Sequence, residues 1–387
     1  MVYFDWNATA PMLPAAKQAW LDAVDRYIGN PSSPHRLGAR AETAMNEARA
    51  SIASHLGCVA SEIVWTSGAT ESSNMVLHHF WRTLDSTSEV WTSSLEHPCV
   101  LEASSWYFQK RHRFIPARRS GVVDLDWIST QLRQTRPGVI AVMAANNETG
   151  VLQPWREVLD LCRKQEIPFF CDAAQWLGKL PAHGLGQCDF VSGCGHKFGG
   201  PKGAGFLKVP SRFVPLLVGG KQEDGYRAGT ENVPGVISMA TALDHREQQL
   251  SRKEHCPLGD VKSKFERQLL EALPHSSIVG IESARLWNTV SALMPDADCQ
   301  QRWVVKLDKL GFAVSTGSAC SSGQEKPSHV LTGMGFSPAE TSRVLRFSGG
   351  WETSSAEWEQ LLTALKEVHA RLSEQPEVRV QEAPLKK

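Results

Sequence analysis

Asp189-Phe190-Val191-Ser192-Gly193-Cys194-Gly195-His196-Lys197-Phe198-Gly199-Gly200-Pro201-Lys202-Gly203 is the stretch on which the reading of this chain turns. An apolar, strand-like run ends in small residues, presents a lysine beside a histidine, and then breaks into glycines and a proline. A lysine held in a partly desolvated pocket has a lowered pKa and becomes a competent amine nucleophile. A Schiff base with pyridoxal phosphate requires such an amine. The same segment also describes a loop lysine next to a turn, so its surroundings must decide. It is not a P-loop, because residues 199–203 lack the spacing and the Ser or Thr after the lysine.

Outward from this segment the chain alternates strands and helices. Ile63-Val64-Trp65-Thr66 reads as a strand, followed by Ser67-Gly68-Ala69-Thr70 and a helix to about Thr83. Val139-Ile140-Ala141-Val142-Met143, Pro168-Phe169-Phe170-Cys171 and Asp189-Phe190-Val191-Ser192 read as buried strands, with Gly205-Phe206-Leu207-Lys208-Val209 pairing nearby. That rhythm predicts a mostly parallel sheet with helices on both faces. Ligands of such sheets bind outside the carboxyl ends of the strands, and the site motifs below each follow a strand. The polar run Gln248-Gln249-Leu250-Ser251-Arg252-Lys253-Glu254 reads as a helix end and a domain boundary, and the tail after Ser373 as frayed.

Small residues between strand and helix let the backbone N–H groups near Ala69 and Thr70 approach an anion, although Ser and Thr also cap ordinary helices. Asp172, at a strand end, can pair with a protonated pyridine nitrogen, and Gln175 can reach the ring hydroxyl; the plainer reading of Asp172 is a helix cap. Asn146-Asn147-Glu148-Thr149-Gly150 offers amide donors, and Glu96-His97-Pro98 presents a flat imidazole for stacking or proton transfer. His78 and His79 lie mid-helix and receive no role. Ser315-Thr316-Gly317-Ser318-Ala319-Cys320-Ser321-Ser322-Gly323 sets a cysteine among residues that cannot bury it, as on a mobile loop reaching solvent. Cys58, Cys162, Cys171 and Cys256 read instead as small buried hydrophobes. Arg346, in the apolar run Arg343-Val344-Leu345-Arg346-Phe347, calls for a bidentate carboxylate partner, from a substrate or from a structural ion pair.

Composition limits the function classes. Forty-one Lys and Arg balance forty-one Asp and Glu, so no broad field draws the chain to nucleic acid or an anionic membrane. Nine scattered cysteines show no Cys-x-x-Cys pair or zinc-type cluster, so no metal is expected. Without a signal peptide or a long apolar span, the expected compartment is a reducing cytoplasm.

Taken together, the chain resembles the cysteine desulfurases of the pyridoxal-phosphate fold-type I, class V aminotransferase superfamily, NifS/IscS-like. The likeness runs through Tyr3-Phe4-Asp5-Trp6-Asn7-Ala8-Thr9, Gly29-Asn30-Pro31-Ser32-Ser33-Pro34-His35, residues 66–74, 96–98, 146–150, 172–175 and 195–197, Arg227-Ala228-Gly229-Thr230-Glu231-Asn232, residues 318–323 and 346–348. It implies an α/β fold with a large domain, residues 10–253, built on a mostly parallel seven-stranded sheet flanked by helices. A smaller α+β domain, residues 1–9 and 254–387, would carry the mobile cysteine loop at about 315–328. It further implies that Lys197 holds the cofactor, Asp172 pairs with its ring nitrogen, Gln175 touches the ring oxygen, and His97 stacks and handles protons. Ala69, Thr70, Cys194, His196 and Thr230 of a neighbouring subunit would hold the phosphate. Asn147, which would also contact the cofactor, and Arg346 would grip the substrate carboxylate. Cys320 would take sulfur from L-cysteine as a persulfide, alanine would leave, and the homodimer would pass sulfur to an acceptor protein of an iron–sulfur or thiolation pathway.

Two positions depart from the family pattern. Cys194 stands where a serine is usual, three residues before the lysine, and a thiol is a weak donor. Gly219-Gly220-Lys221-Gln222-Glu223 replaces a Gly-Gly-Gly-Gln-Glu pattern. A scaffold without turnover and a transaminase or lyase for another amino acid are the alternatives; the first would not need Lys197, the second would not need Cys320.

Overall fold

The computed structural model describes residues 1–316 and 327–374. Its strands are β1 (Val2–Tyr3), β2 (Ile63–Thr66), β3 (Val90–Ser93), β4 (His112–Ile115), β5 (Val139–Ala141), β6 (Phe169–Asp172), β7 (Phe190–Cys194), β8 (Gly205–Lys208), β9 (Ser277–Ile278), β10 (Thr289–Leu293), β11 (Phe312–Ala313) and β12 (Val344–Ser348). Seven of them form one sheet in the order β2-β8-β7-β6-β5-β3-β4. β3 to β7 pair in parallel, and β8 runs antiparallel between β2 and β7.

Parallel strands need cover on both faces, and their side chains alternate between the two. Trp65, Ile140, Phe169, Cys171, Val191 and Phe206 join one core, under the helices Arg36–Leu56, Trp155–Lys164 and Val233–Ser251. Their neighbours Val64, Val139, Phe170, Phe190 and Leu207 join the other, under the helices Ala69–Thr83 and Pro98–Phe108. Phe170 and Phe190 lie two and four residues ahead of Asp172 and Cys194 in fully buried strands. Truncating either to alanine costs about 3–5 kcal/mol and loosens the platform of the site.

A second core packs the sheet β9-β10-β12 against the helices Cys256–Ala272 and Ser355–Ser373, around Phe265, Val290, Phe347, Trp358 and Leu365. Phe4 belongs to this core, and β1 pairs in parallel with β11. The helix Val233–Ser251 ends inside the polar run noted in the sequence, and Lys253 turns the chain with φ 58°.

Two cysteines correct the expectation. Cys162 and Cys171 are buried, but Cys256 is exposed and Cys58 only partly covered. Cys256 starts its helix, more than two turns before the buried Phe265 and Leu269, and Cys58 follows a helix end at Gly57.

Candidate active site

Strand ends β2, β6 and β7 meet around a cavity of about 510 Å³, lined among others by Thr70, His97, Asp172, Gln175, Lys197 and Arg346. Ala69, Asn147, Cys194 and His196 line it too. Thr230 does not; it is exposed on a loop of the same subunit. Cys320 lies outside the described residues.

One end of the cavity is a helix start. Gly68 is the N-cap of Ala69–Thr83, whose first N–H groups have no partner within the helix. Thr66 and Ser72 share a 2.9 Å hydrogen bond, and the Ser72 hydroxyl donates to the Phe206 carbonyl at 3.1 Å, which pins this helix start onto β8. Gly205 permits the approach, because a Cβ there would sit 2.6 Å from the Gly68 Cα. Cys194 ends β7 beside it. Burial pushes its thiol up to about 11 against the opposing pull of Lys197, so it stays protonated. Burial, with Lys197, Lys202 and Lys179 adding to it, lowers the His196 imidazole to about 4.

Lys197 sits in a single 3₁₀ turn after β7. Its ammonium donates to the carbonyls of Asn7 at 2.7 Å and Ala8 at 2.9 Å. Gly200 lets the chain double back, since a Cβ there would lie 3.1 Å from the Gly195 Cα. In the neighbouring strand β6, Asp172 is buried, and its Oδ1 accepts from the Ser192 hydroxyl at 3.0 Å and the Ala174 N–H at 2.9 Å. Gln175 donates from Nε2 to the Asn7 carbonyl at 2.9 Å.

His97 caps the helix Pro98–Phe108 by accepting from the Cys99 N–H at 3.2 Å through Nδ1. Burial lowers its pKa against the pull of the Asp172 carboxylate. The neutral ring therefore carries its proton on Nε2. Its neighbour Glu96 is fully enclosed and raised well above the usual carboxyl range by burial, while its Oε1 accepts from the Met143 N–H at 2.7 Å.

The far end of the cavity is crowded with side-chain bonds. Arg346, in β12, donates to the Asn147 carbonyl at 2.9 Å and forms an ion pair with Asp5 at 2.6 Å. Asn7 donates to the same carbonyl at 3.2 Å and to the Thr289 hydroxyl at 2.9 Å. The Asn288 amide donates to Asn7 Oδ1 at 3.2 Å. The backbone of Ser315 pairs with that of Arg346, and Ser328 donates to Glu148 at 2.5 Å. Both chain ends that flank residues 317–326 are thus tied to this corner.

Sequence reading missed Asn7, Lys179, Glu96 and Glu148 as parts of the site. Asn7 carries no chemical signature, and only the likeness of the segment around it drew notice. Lys179 stands in an unremarkable Gly-Lys-Leu-Pro turn.

The donor set fits a flat ring bearing an anionic arm. The helix start suits the anion, Asp172 suits a protonated ring nitrogen, and Lys197 reaches the space between. Among the described residues no helix is long and apolar enough to cross a membrane, and no three His, Cys, Asp or Glu side chains are grouped to hold a metal ion.

Comparison with known proteins agrees. The profile of the family Aminotransferase class-V matches residues 2–361. A cysteine desulfurase of Gluconacetobacter diazotrophicus is 34% identical over 96% of this chain and 94% of its own length. The solved NifS-like protein of Rickettsia africae superposes with a TM-score of 0.86 at 29% identity, covering 96% of this chain and 99% of that one. SspA, solved in complex with cysteine, superposes at 0.76 with 30% identity over 90% of this chain and 98% of its own.

Proposed function

The chain belongs to the class-V aminotransferase family as one of its pyridoxal-phosphate-dependent cysteine desulfurases, and on that premise we propose how its own residues run the reaction. One observation carries the assignment. The Lys197 amine, in the turn after β7, and the Asp172 carboxylate, at the end of the adjacent β6, face one cavity closed by a helix start.

The bound cofactor supplies an electron sink that polarises the carbon–sulfur bond of the substrate. Lys197 is its covalent anchor. Asp172 would keep the ring nitrogen protonated, Gln175 would meet the ring oxygen, and His97 would stack on the ring and move a proton through Nε2. The N–H groups at Ala69 and Thr70, the Cys194 thiol and the His196 ring take the phosphate, with Thr230 of a second copy completing the set. Exposure of Thr230 on its own subunit supports that last role. Asn147 and Arg346 receive the carboxylate of L-cysteine, and Cys320 accepts the sulfur.

The enzyme is proposed to work as a cytoplasmic homodimer that hands sulfur to an acceptor protein. The division at residue 253 is proposed from the two separate cores. Incubation with cysteine and a reductant should yield alanine and sulfide in equal amounts. Cys320→Ser should keep the cofactor and bind cysteine, yet release no sulfide. Undiminished sulfide from that variant would place the acceptor thiol elsewhere.

A further inference from the structure

Lys179, behind the cavity-lining Gln175, is a buried cation whose burial the reaction above leaves unexplained. It is 4% exposed. Its neighbours in charge are the cations Lys197 and Arg346, with the Cys194 thiol opposing them weakly. Among the described residues no carboxylate forms an ion pair with it. Burial, reinforced by Lys197 and Arg346, holds its pKa well below the usual lysine range. A long, flexible amine is rarely enclosed without a partner.

Its partner is Gln175. The Lys179 amine donates to Gln175 Oε1 at 2.5 Å. On the other side, Gln175 Nε2 meets the Asn7 carbonyl at 2.9 Å, and a carbonyl can only accept. A flipped amide would face oxygen to oxygen at Asn7, so the two contacts fix one orientation. Lys179 itself is held by its own backbone, where the Trp287 indole donates to its carbonyl at 2.8 Å. Lys197 shares the Asn7 carbonyl, so the line Lys179–Gln175–Asn7–Lys197 is continuous.

We propose that Lys179 is a positioning residue for the cofactor ring: its amine holds the Gln175 amide with the nitrogen toward the cavity, so that Gln175 donates to the ring oxygen and never accepts from it. This rests on the assignment of Gln175 to that oxygen. A donated hydrogen bond favours the ionised oxygen and lowers the pH at which the yellow chromophore on Lys197 titrates. Without the amine the amide keeps only the Asn7 contact and loses the donor that fixes its oxygen.

The test is a spectrophotometric pH titration of the cofactor-loaded protein, without substrate. Lys179→Met, close in volume and lacking a donor, should raise the chromophore midpoint by about 0.5–1 pH unit. Gln175→Ala should raise it likewise, and the double variant should shift no further than either single one. Lys179→Gln, which keeps an N–H donor, should return the midpoint part of the way. If Gln175→Ala shifts the midpoint and Lys179→Met does not, the positioning role is wrong and the role of Gln175 stands. If neither shifts it, the assignment of Gln175 is wrong as well. Additive shifts would show two independent effects and overturn the proposal.

Discussion

The two ends of the cavity are built in opposite ways. The end proposed for the phosphate comes from strand ends of a single sheet, using backbone N–H groups at a helix start, a thiol and a neutral imidazole. The end proposed for the substrate carboxylate is assembled from Asp5, Asn7, Asn147 and Arg346, four residues from three distant parts of the chain that already bond to one another. A sheet edge can be specified locally, strand by strand. A corner made of mutually bonded remote residues has to be specified all at once, and each member is replaceable only at the expense of its partners.

Lys197 stands between the two ends, and removing it has the largest effect. Lys197→Ala should be colourless after dialysis and lose roughly 10³-fold or more in activity. Borohydride should fix the cofactor on Lys197 in the parent; a label on Lys202 would overturn the assignment.

Arg346→Ala tests the carboxylate end. A buried charge pair to substrate should cost about 2–5 kcal/mol, or roughly 30-fold to several-thousand-fold in cysteine affinity, with the resting cofactor spectrum unchanged. Because Arg346 also pairs with Asp5, Asp5→Asn is the companion variant. A purely structural arginine would make both variants lose stability and neither lose affinity.

The phosphate end gives a pH prediction. In the cofactor-free protein His196 is depressed from 6.5 to about 4, chiefly by burial. The folded state then binds fewer protons than the unfolded one between those values. Its contribution to stability is complete above pH 6.5 and is lost as the pH falls toward 4. Urea midpoints across that window should fall less steeply in His196→Gln, whereas an equal slope would place the acid sensitivity in other groups such as His112, which burial also lowers to about 4.

The smallest effect belongs to Cys194. A hydroxyl in place of the thiol strengthens one bond to a charged phosphate, so Cys194→Ser should retain the cofactor several-fold better on dialysis. Thr230→Ala should lose it faster. Equal retention by Cys194→Ser would mean that other donors already satisfy the phosphate oxygens.

The contrast also explains what could be read from the sequence. β2, β5, β6, β7 and β8 announced themselves as apolar runs followed by small residues, and with them came Lys197, Asp172 and the helix start. β3 was not recognised, because Val90-Trp91-Thr92-Ser93 is short and half hydroxylic although fully buried. β4, His112-Arg113-Phe114-Ile115, is an edge strand with polar, partly exposed residues and no apolar pattern to notice. Arg346 was legible because a cation in an apolar strand demands an explanation. Asn7 and Lys179 were not, because their importance lies in which carbonyl or amide they meet, and no local spacing encodes that.

The threading of residues 2–7 also sets when the site can form as the chain is made. Val2 and Phe4 bond to Gly311 and Ala313, and Asn7 donates its N–H to Ser348, 341 residues later. At a synthesis rate of roughly 5–20 residues per second, about 17–70 s pass before that partner exists. The large sheet can close long before then, since its last strand ends at Lys208. Between the making of Lys197 and that of Ser348, then, the growing chain carries the lysine without the carbonyl of Asn7 locked in place, and the opening residues of the chain are among the last to settle.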